Sequence, residues 1–366
     1  MKKNAVIASV FLALLVFAGL AVAAGADDPL VSLSYLTGTF FPLAEQRVQE
    51  RIDASGQVVY TALAEDLRAP ENVEPALSLV PAWTEQRFKQ FDRLEGSTGS
   101  QWLLLAGEAQ LGISAGAVVD VTDGVEISAG EPLKLRHRYL AAEDAAVTVL
   151  INSKTAVVNY CGPHRLSSAP TPDYNAIALA LRELDLFRGT DVAYGDGFDL
   201  ESTPTRIQAL IMLIRLLGEE DAALRSTAEN PFPDVPAWAE RYTAYAFAMG
   251  YTAGVENGNF APNREANAGM YTEFVLRALG YSSTAQADVR TAPERGMMAG
   301  VLTAGERDAL QAGEFLRSDV AYLSWYALSA VLPSGTQTLH ERLENTGVFT
   351  PAAYADALRQ VTTSRL

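Results

Sequence analysis

Cysteine is almost absent from this sequence, since Cys161 is the only one among 366 residues. A chain with a single thiol forms no internal disulfide, so its fold has to be stabilised by packing. No arrangement of neighbouring residues indicates an activated thiol. We therefore expect Cys161 to be a small buried hydrophobic residue.

Histidine is scarce as well. The three histidines are His137, His164 and His340. None forms an i, i+4 pair or a His-x-His motif, and the arginines on either side of His137 disfavour a cation there, although Glu143 and Asp144 follow. A Walker loop, a dinucleotide fingerprint and a Gly-x-Ser-x-Gly motif are also missing. We expect no metal, no cofactor and no enzymatic activity.

Basic residues are few, with 28 Lys and Arg against 44 Asp and Glu and a net charge of −16. Such a surface repels nucleic acid, which we do not expect as a partner. An anionic ligand would need a local cluster of arginines. The hydrophobic share of 49% is ample for folded cores and argues against disorder.

Long apolar runs are missing except near the N-terminus, where residues 5–22 are almost entirely apolar. Two lysines precede this run, and small residues follow it in A-x-A-like triplets up to Ala26. This order is typical of a secretory signal peptide, which we place at residues 1–26. An uncleaved membrane anchor is the alternative, because the run nearly reaches a spanning length. We expect an exported protein with no membrane span after cleavage.

Residues 27–166 are predicted to form a mainly-β domain. Phe41 to Ile52 has the spacing of one amphipathic helix, and from about residue 57 to 160 short β-rich runs alternate with turn formers. This pattern predicts a small antiparallel sandwich or barrel. Residues 167–173, with two prolines, are predicted to be a linker that few contacts cross, so that two domains are separable.

From residue 174 onward the apolar spacing is helical and a pattern repeats. Residues 206–218 and 268–280 share an Arg-x-Leu-Gly ending at an offset of 62 residues, and Phe198 and Phe260 keep that offset. A weaker third copy lies at residues 315–323. A helix that stops at a glycine precedes each copy, so the unit is helix, glycine loop, helix.

We place the three repeats at residues 174–218, 232–280 and 288–330, with capping helices in 334–366. One helix pair cannot bury its apolar face alone, so stacked repeats predict an all-α bundle. Four residues at matching positions should face its core: Leu213, Leu217, Val275 and Leu279. The whole chain is thus predicted to be a multidomain α+β protein.

Several motifs of the helical half resemble the S-layer homology (SLH) family. They are Phe232-Pro233-Asp234-Val235 with Trp238, the glycines 250, 254 and 258, Phe260-Ala261-Pro262, and Thr205-Arg206. The resemblance covers about residues 174–330 and implies a secreted protein on the cell wall of Gram-positive anaerobic (clostridial-type) bacteria. In that family, grooves between three prongs bind acidic secondary cell-wall polysaccharide, which often carries pyruvate ketals.

The resemblance implies five ligand-binding residues: Arg206, Arg317, Asp234, Trp238 and Gly254. A ketal carboxylate calls for a guanidinium, a sugar face favours an aromatic surface, and glycine lets the backbone approach a ligand. Alternatives remain open for two kinds of residue. Asp234 is also a suitable N-cap of the following helix, and the arginines are also typical of solvated helix starts, with exposed side chains.

The second repeat departs from the family pattern, because Asn267-Ala268 stands where Thr-Arg is expected and Arg264 lies nearby but out of register. Only that repeat has the full opening motif. Two functions therefore remain: a wall-anchored protein that displays its β-domain, or a secreted scaffold whose degenerate repeats bind no polymer. The activity of the β-domain is not predicted.

Overall fold

The computed structural model describes residues 82–281, 288–363, 365 and 366, together with Leu43, Gln46 and Arg47. The predicted signal peptide, most of the predicted helix at 41–52 and the β-rich runs before residue 82 lie outside this part of the chain. The chain divides into the units Met1–Leu77 and Ser78–Leu366. The described residues from 82 onward belong to the second unit.

The first half of this unit is built from strands. Their bounds are β1 Thr84–Lys89, β2 Arg93–Ser97, β3 Gln101–Ala106, β4 Ala109–Ala115, β5 Val118–Asp120, β6 Val125–Ile127, β7 Arg138–Ala141, β8 Ala146–Ile151, β9 Thr155–Cys161 and β10 His164–Ser167. One sheet has the order β1-β9-β3-β7-β5-β6 and the other β10-β2-β8-β4, and all described pairs are antiparallel.

The two sheets share one apolar core, which makes this half a sandwich and not a barrel. Alternate residues point inward, as in β3, where Trp102 and Leu104 are fully buried. Val149 of the smaller sheet belongs to the same cluster. Cys161 is buried, 3% exposed and unbonded, as predicted, and burial raises the pKa of its thiol.

The second half is helical, so the chain has the predicted α+β composition. The helices are α1 Tyr174–Glu183, α2 Arg206–Leu216, α3 Glu220–Arg225, α4 Glu240–Ala248, α5 Ala268–Leu279, α6 Ala292–Met298, α7 Ala304–Gln311, α8 Arg317–Ala327, α9 Leu339–Asn345 and α10 Pro351–Gln360. Among the described residues, no helix combines the length and apolar character needed to cross a membrane.

Local sequence explains where these helices begin. Thr205 caps α2 in a capping box with Gln208, and Thr350 caps α10 with Pro351 in the first turn. The four residues predicted to share a core are all buried, at 0–4% exposure, in one cluster. This packing prediction, with Leu213, Leu217, Val275 and Leu279, is confirmed.

The expectation that few contacts cross residues 167–173 is wrong. Arg87 of β1 forms a 2.8 Å ion pair with Glu201 and donates from Nε to the Gly195 oxygen at 2.7 Å. Lys154 binds both carboxylate oxygens of Asp319 at 2.7 Å. Charged, largely buried side chains therefore hold the strand half and the helical half together, in addition to the proline-containing segment that joins them. The proposed boundary positions stay predictions.

Candidate functional site

A cleft of about 530 Å³ lies between the start of α2, the loop after α4 and the outer side of α5. Six charged residues line it: Arg206, Glu256, Arg264, Glu273, Arg277 and Asp288. Gly254 lines it too, so the structure brings together two of the five predicted site residues. Asp234, Trp238 and Arg317 do not line this cleft.

Arg206 begins α2 and is only 4% exposed, so the expectation of an exposed side chain is wrong. Its guanidinium carbon lies 4.9 Å from the ring centre of Phe260 and 5.0 Å from that of Phe274. Nη2 donates to the Gly254 oxygen at 3.3 Å, whereas the buried Nε has no hydrogen-bond partner among the described residues. Aromatic packing thus holds a guanidinium with unused hydrogen-bonding capacity.

Arg264 adds a second guanidinium to this cleft. It lies in the loop before α5, where its backbone oxygen accepts a hydrogen bond from the Arg206 N–H at 2.7 Å. Burial, followed by the charges of Arg264 and Arg277, lowers the pKa of Arg206 to about 10. Arg206 is therefore still charged at neutral pH, and the attraction of Asp234 only partly offsets this repulsion.

The other arginine of the cleft already has a carboxylate partner. Arg277 Nε lies 2.7 Å from Glu273, and Arg295 reaches the other oxygen of the same buried carboxylate at 2.5 Å. Asp288 likewise pairs with Arg290 at 2.9 Å. Arg206 and Arg264 form no ion pair within the described ranges, so they are the cationic groups available to an anion.

Gly254 is required by the backbone. Its φ is +75°, and a β-carbon there would lie 2.5 Å from the Phe232 ring and 2.7 Å from the Asn259 oxygen. The Gly254 carbonyl accepts a hydrogen bond from Arg206 Nη2 at 3.3 Å. The predicted role of glycine, backbone access at the groove, fits this position.

Asp234 is not a helix N-cap, and that alternative is wrong. Pro236 and Ala239 precede the helical turns in this region, and neither cap uses the Asp234 carboxylate. The carboxylate instead accepts the backbone N–H groups of Phe260 and Ala261 at 2.8 and 2.7 Å. Asp234 therefore supports the glycine loop that carries one wall of the cleft, at a position where Ala261 has a positive φ.

Trp238 and Arg317 lie apart from the cleft for different reasons. Trp238 is 62% exposed in a short 3-10 turn at Ala237–Ala239, where its face is open to solvent. Arg317 is only 4% exposed, so the expectation of a solvated helix start is wrong. Its Nη2 and Nε donate to the Arg188 and Phe198 oxygens at 3.1 and 3.3 Å.

Neither Glu143 nor Asp144 is a hydrogen-bond partner of His137 among the described residues. Its Nδ1 lies 2.8 Å from Asp120 and 3.6 Å from Asp123. Lys134 already lies 2.5 Å from the Asp123 carboxylate. The position that a cation would take among these three side chains is thus next to an ammonium group.

Comparison with known proteins gives partial matches. No family model matches the chain. It is 39% identical over 87 residues to a cell surface protein of Thermoanaerobacter kivui, which covers 23% of this chain and 11% of that protein. It is 32% identical over 101 residues to an endoglucanase of Bacillus sp. (strain KSM-635), covering 28% of this chain and 10% of the relative. The chain spans about a tenth of the length of these relatives.

Among solved structures, ToxT from Vibrio cholerae aligns with 77% of this chain and 99% of its own at 14% identity. The TM-score is 0.10. A score this low carries no argument about the fold or the function.

Proposed function

We propose that this chain is an exported cell-surface protein whose helical half binds an acidic secondary cell-wall polysaccharide in the Arg206 cleft. The role is binding and not catalysis. One observation carries the proposal: Arg206 and Arg264 line the same cleft without an ion pair to any described residue. In a chain with a net charge of −16, such a pair marks a local site for an anion.

A carboxylate fits this site better than a neutral sugar alone. Two guanidinium groups provide charge-assisted, directional hydrogen bonds to one carboxylate. Burial and then the charges of Arg264 and Arg277 lower the pKa of Arg206, and a bound carboxylate would offset this effect. The resemblance to SLH repeats supplies the ligand class, an acidic wall polymer in which pyruvate ketals carry the carboxylates.

The names of the partial relatives support a surface or carbohydrate-related role. One is named a cell surface protein and the other an endoglucanase, which are compatible with a surface or carbohydrate-related role. Since the matches cover about a tenth of each relative, we do not extend the endoglucanase activity to this chain.

Isothermal titration tests the ligand class. The probe is polysaccharide released from Gram-positive walls with hydrofluoric acid, before and after mild acid removes its ketals. We expect saturable binding that weakens at least tenfold after ketal removal, because charge-assisted hydrogen bonds contribute about 1.5–3 kcal/mol. Equal affinity for both forms would overturn the assignment of the cleft to a carboxylate.

A secreted scaffold without polymer binding is the second candidate. Two observations favour it: Arg317 is engaged by backbone oxygens, and Ala268 stands where the family has arginine. Circular dichroism first confirms that the protein is folded. If titration with the intact polysaccharide then shows no binding heat and no saturation, the scaffold is favoured.

A further inference from the structure

A second cleft of about 470 Å³ adjoins the Arg206 cleft. It lies where α5 begins and where α7 ends, and Arg264 and Val289 line both clefts. Arg264 is exposed and Val289 is half-buried. These two residues therefore form a ridge, reached by solvent, over which the two clefts meet.

The second cleft is chemically different from the first. Its exposed polar side chains include the amides of Asn267 and Gln311 and the carboxylates of Glu265 and Glu314. Arg290, which also lines it, is already paired with Asp288 at 2.9 Å. Amides and carboxylates both form hydrogen bonds with the hydroxyl groups of a sugar, and the two carboxylates repel an acidic sugar, so the cleft suits an uncharged one.

Position 268, where the SLH pattern has arginine, is an alanine in this chain. Ala268 lines the second cleft, and Arg264 lies on the ridge between both. Arg264 is thus an exposed arginine shared by the two clefts, and Ala268 adds no second one at the start of α5.

We propose that the second cleft is a subsite for a neutral sugar next to the acidic sugar held by Arg206 and Arg264. This inference rests on the proposed function. A polymer chain crosses the ridge, so the protein recognises two or more consecutive sugar residues and not one isolated acidic residue. Chain length then contributes to affinity.

The test compares two size fractions of hydrofluoric-acid-released wall polysaccharide, one repeat unit and at least three, by isothermal titration. We expect the longer fraction to bind at least tenfold tighter per chain, which exceeds the roughly threefold gain from statistical registers alone. Equal affinity within about threefold would overturn the second subsite. Failure of both fractions to bind would instead overturn the proposed function itself.

Gly313→Trp provides the matched variant. Gly313 lines the second cleft, its φ lies outside the left-handed region, and a β-carbon there meets nothing within 4 Å. A bulky ring should block the cleft without straining the fold. We expect the long fraction to fall to the affinity of the short one, with the short fraction unchanged. Ser334→Trp, at an exposed turn outside both clefts, is the control. Unchanged length dependence in Gly313→Trp would contradict the inference.

Discussion

Arg206 and Arg317 each begin a helix, but their guanidinium groups have different partners. Arg317 donates from Nε and Nη2 to backbone oxygens, and its Nη1 lies 3.6 Å from the Met212 sulfur. In Arg206, Nη2 donates to Gly254, while the buried Nε has no partner among the described residues. The structure therefore gives Arg317 a packing role, whereas one nitrogen of Arg206 has no hydrogen-bond partner among the described residues.

We expect Arg317→Ala to lower stability without changing polymer affinity. Loss of its hydrogen bonds should reduce the free energy of unfolding by roughly 1.5–3 kcal/mol, because removal of the charged donor leaves two backbone oxygens without this partner. Urea denaturation measures the stability, and titration with wall polysaccharide measures the affinity. A large loss of affinity in a folded Arg317→Ala protein would show that a second groove works.

Arg264→Ala is the cleanest variant of the cleft, because the side chain is exposed and unpaired in the described structure. We expect polymer affinity to fall about tenfold or more. The free energy of unfolding should change by less than about 0.5 kcal/mol.

Arg225→Ala serves as the matched control, since Arg225 is an exposed arginine that does not line the cleft. Isothermal titration should show no change for this protein. If Arg225→Ala and Arg264→Ala weaken binding equally, the effect comes from total charge and the cleft is misassigned.

Part of this site could be predicted from residues alone. The motif Thr205-Arg206 and the glycine pattern indicate Arg206 and Gly254, and these two residues line the cleft. Arg264 is out of register with the family pattern, and sequence spacing does not show that its loop meets the start of α2. The burial of Arg206 was missed since it depends on Phe260 and Phe274, which come from a later segment of the chain.

At the scale of elements, the loop before α2 supplies several of the contacts that cross residues 167–173. Gly195, in the loop between Gly189 and Phe198, donates its N–H to Glu85 at 2.7 Å and accepts from Arg87. Local patterns showed the loop and its glycines, but a partner more than 100 residues away left no signal in the spacing.

We expect Arg87→Ala to destabilise the whole unit. Removing one partner of a buried ion pair costs about 3–5 kcal/mol, since Glu201 would remain buried without its cation. Urea denaturation should show one transition for the wild-type protein and a shifted midpoint for the variant.

Arg93→Ala is the control, because Arg93 is an exposed residue of β2. Limited proteolysis adds a second measurement, in which cleavage between residues 190 and 198 should accelerate only in Arg87→Ala. Two separate transitions in the wild-type protein would instead support independent domains.

The elements themselves were largely predictable, since strand alternation and helix caps are local. The helix begins at Thr350 and Pro351 as expected, and the apolar run Trp102–Leu105 lies in β3. The choice between sandwich and barrel was not local. It depends on which strands pair, and β1 pairs with β9 across most of the domain.

At the scale of the molecule, the sandwich and the bundle form one unit, with the cleft on the helical half. The net charge of −16 means that an acidic polymer meets general repulsion and local attraction together. Added salt therefore weakens both effects, and screening acts most on the exposed Arg264.

Sedimentation with purified wall sacculi tests the central claim most directly. The wild-type protein should pellet with the sacculi, and the Arg206→Ala, Arg264→Ala double variant should remain in the supernatant while the Arg225→Ala control still pellets. Circular dichroism confirms that each protein is folded before mixing. A folded wild-type protein that stays in the supernatant, or a double variant that pellets as well as the wild type, would contradict polymer binding in the Arg206 cleft.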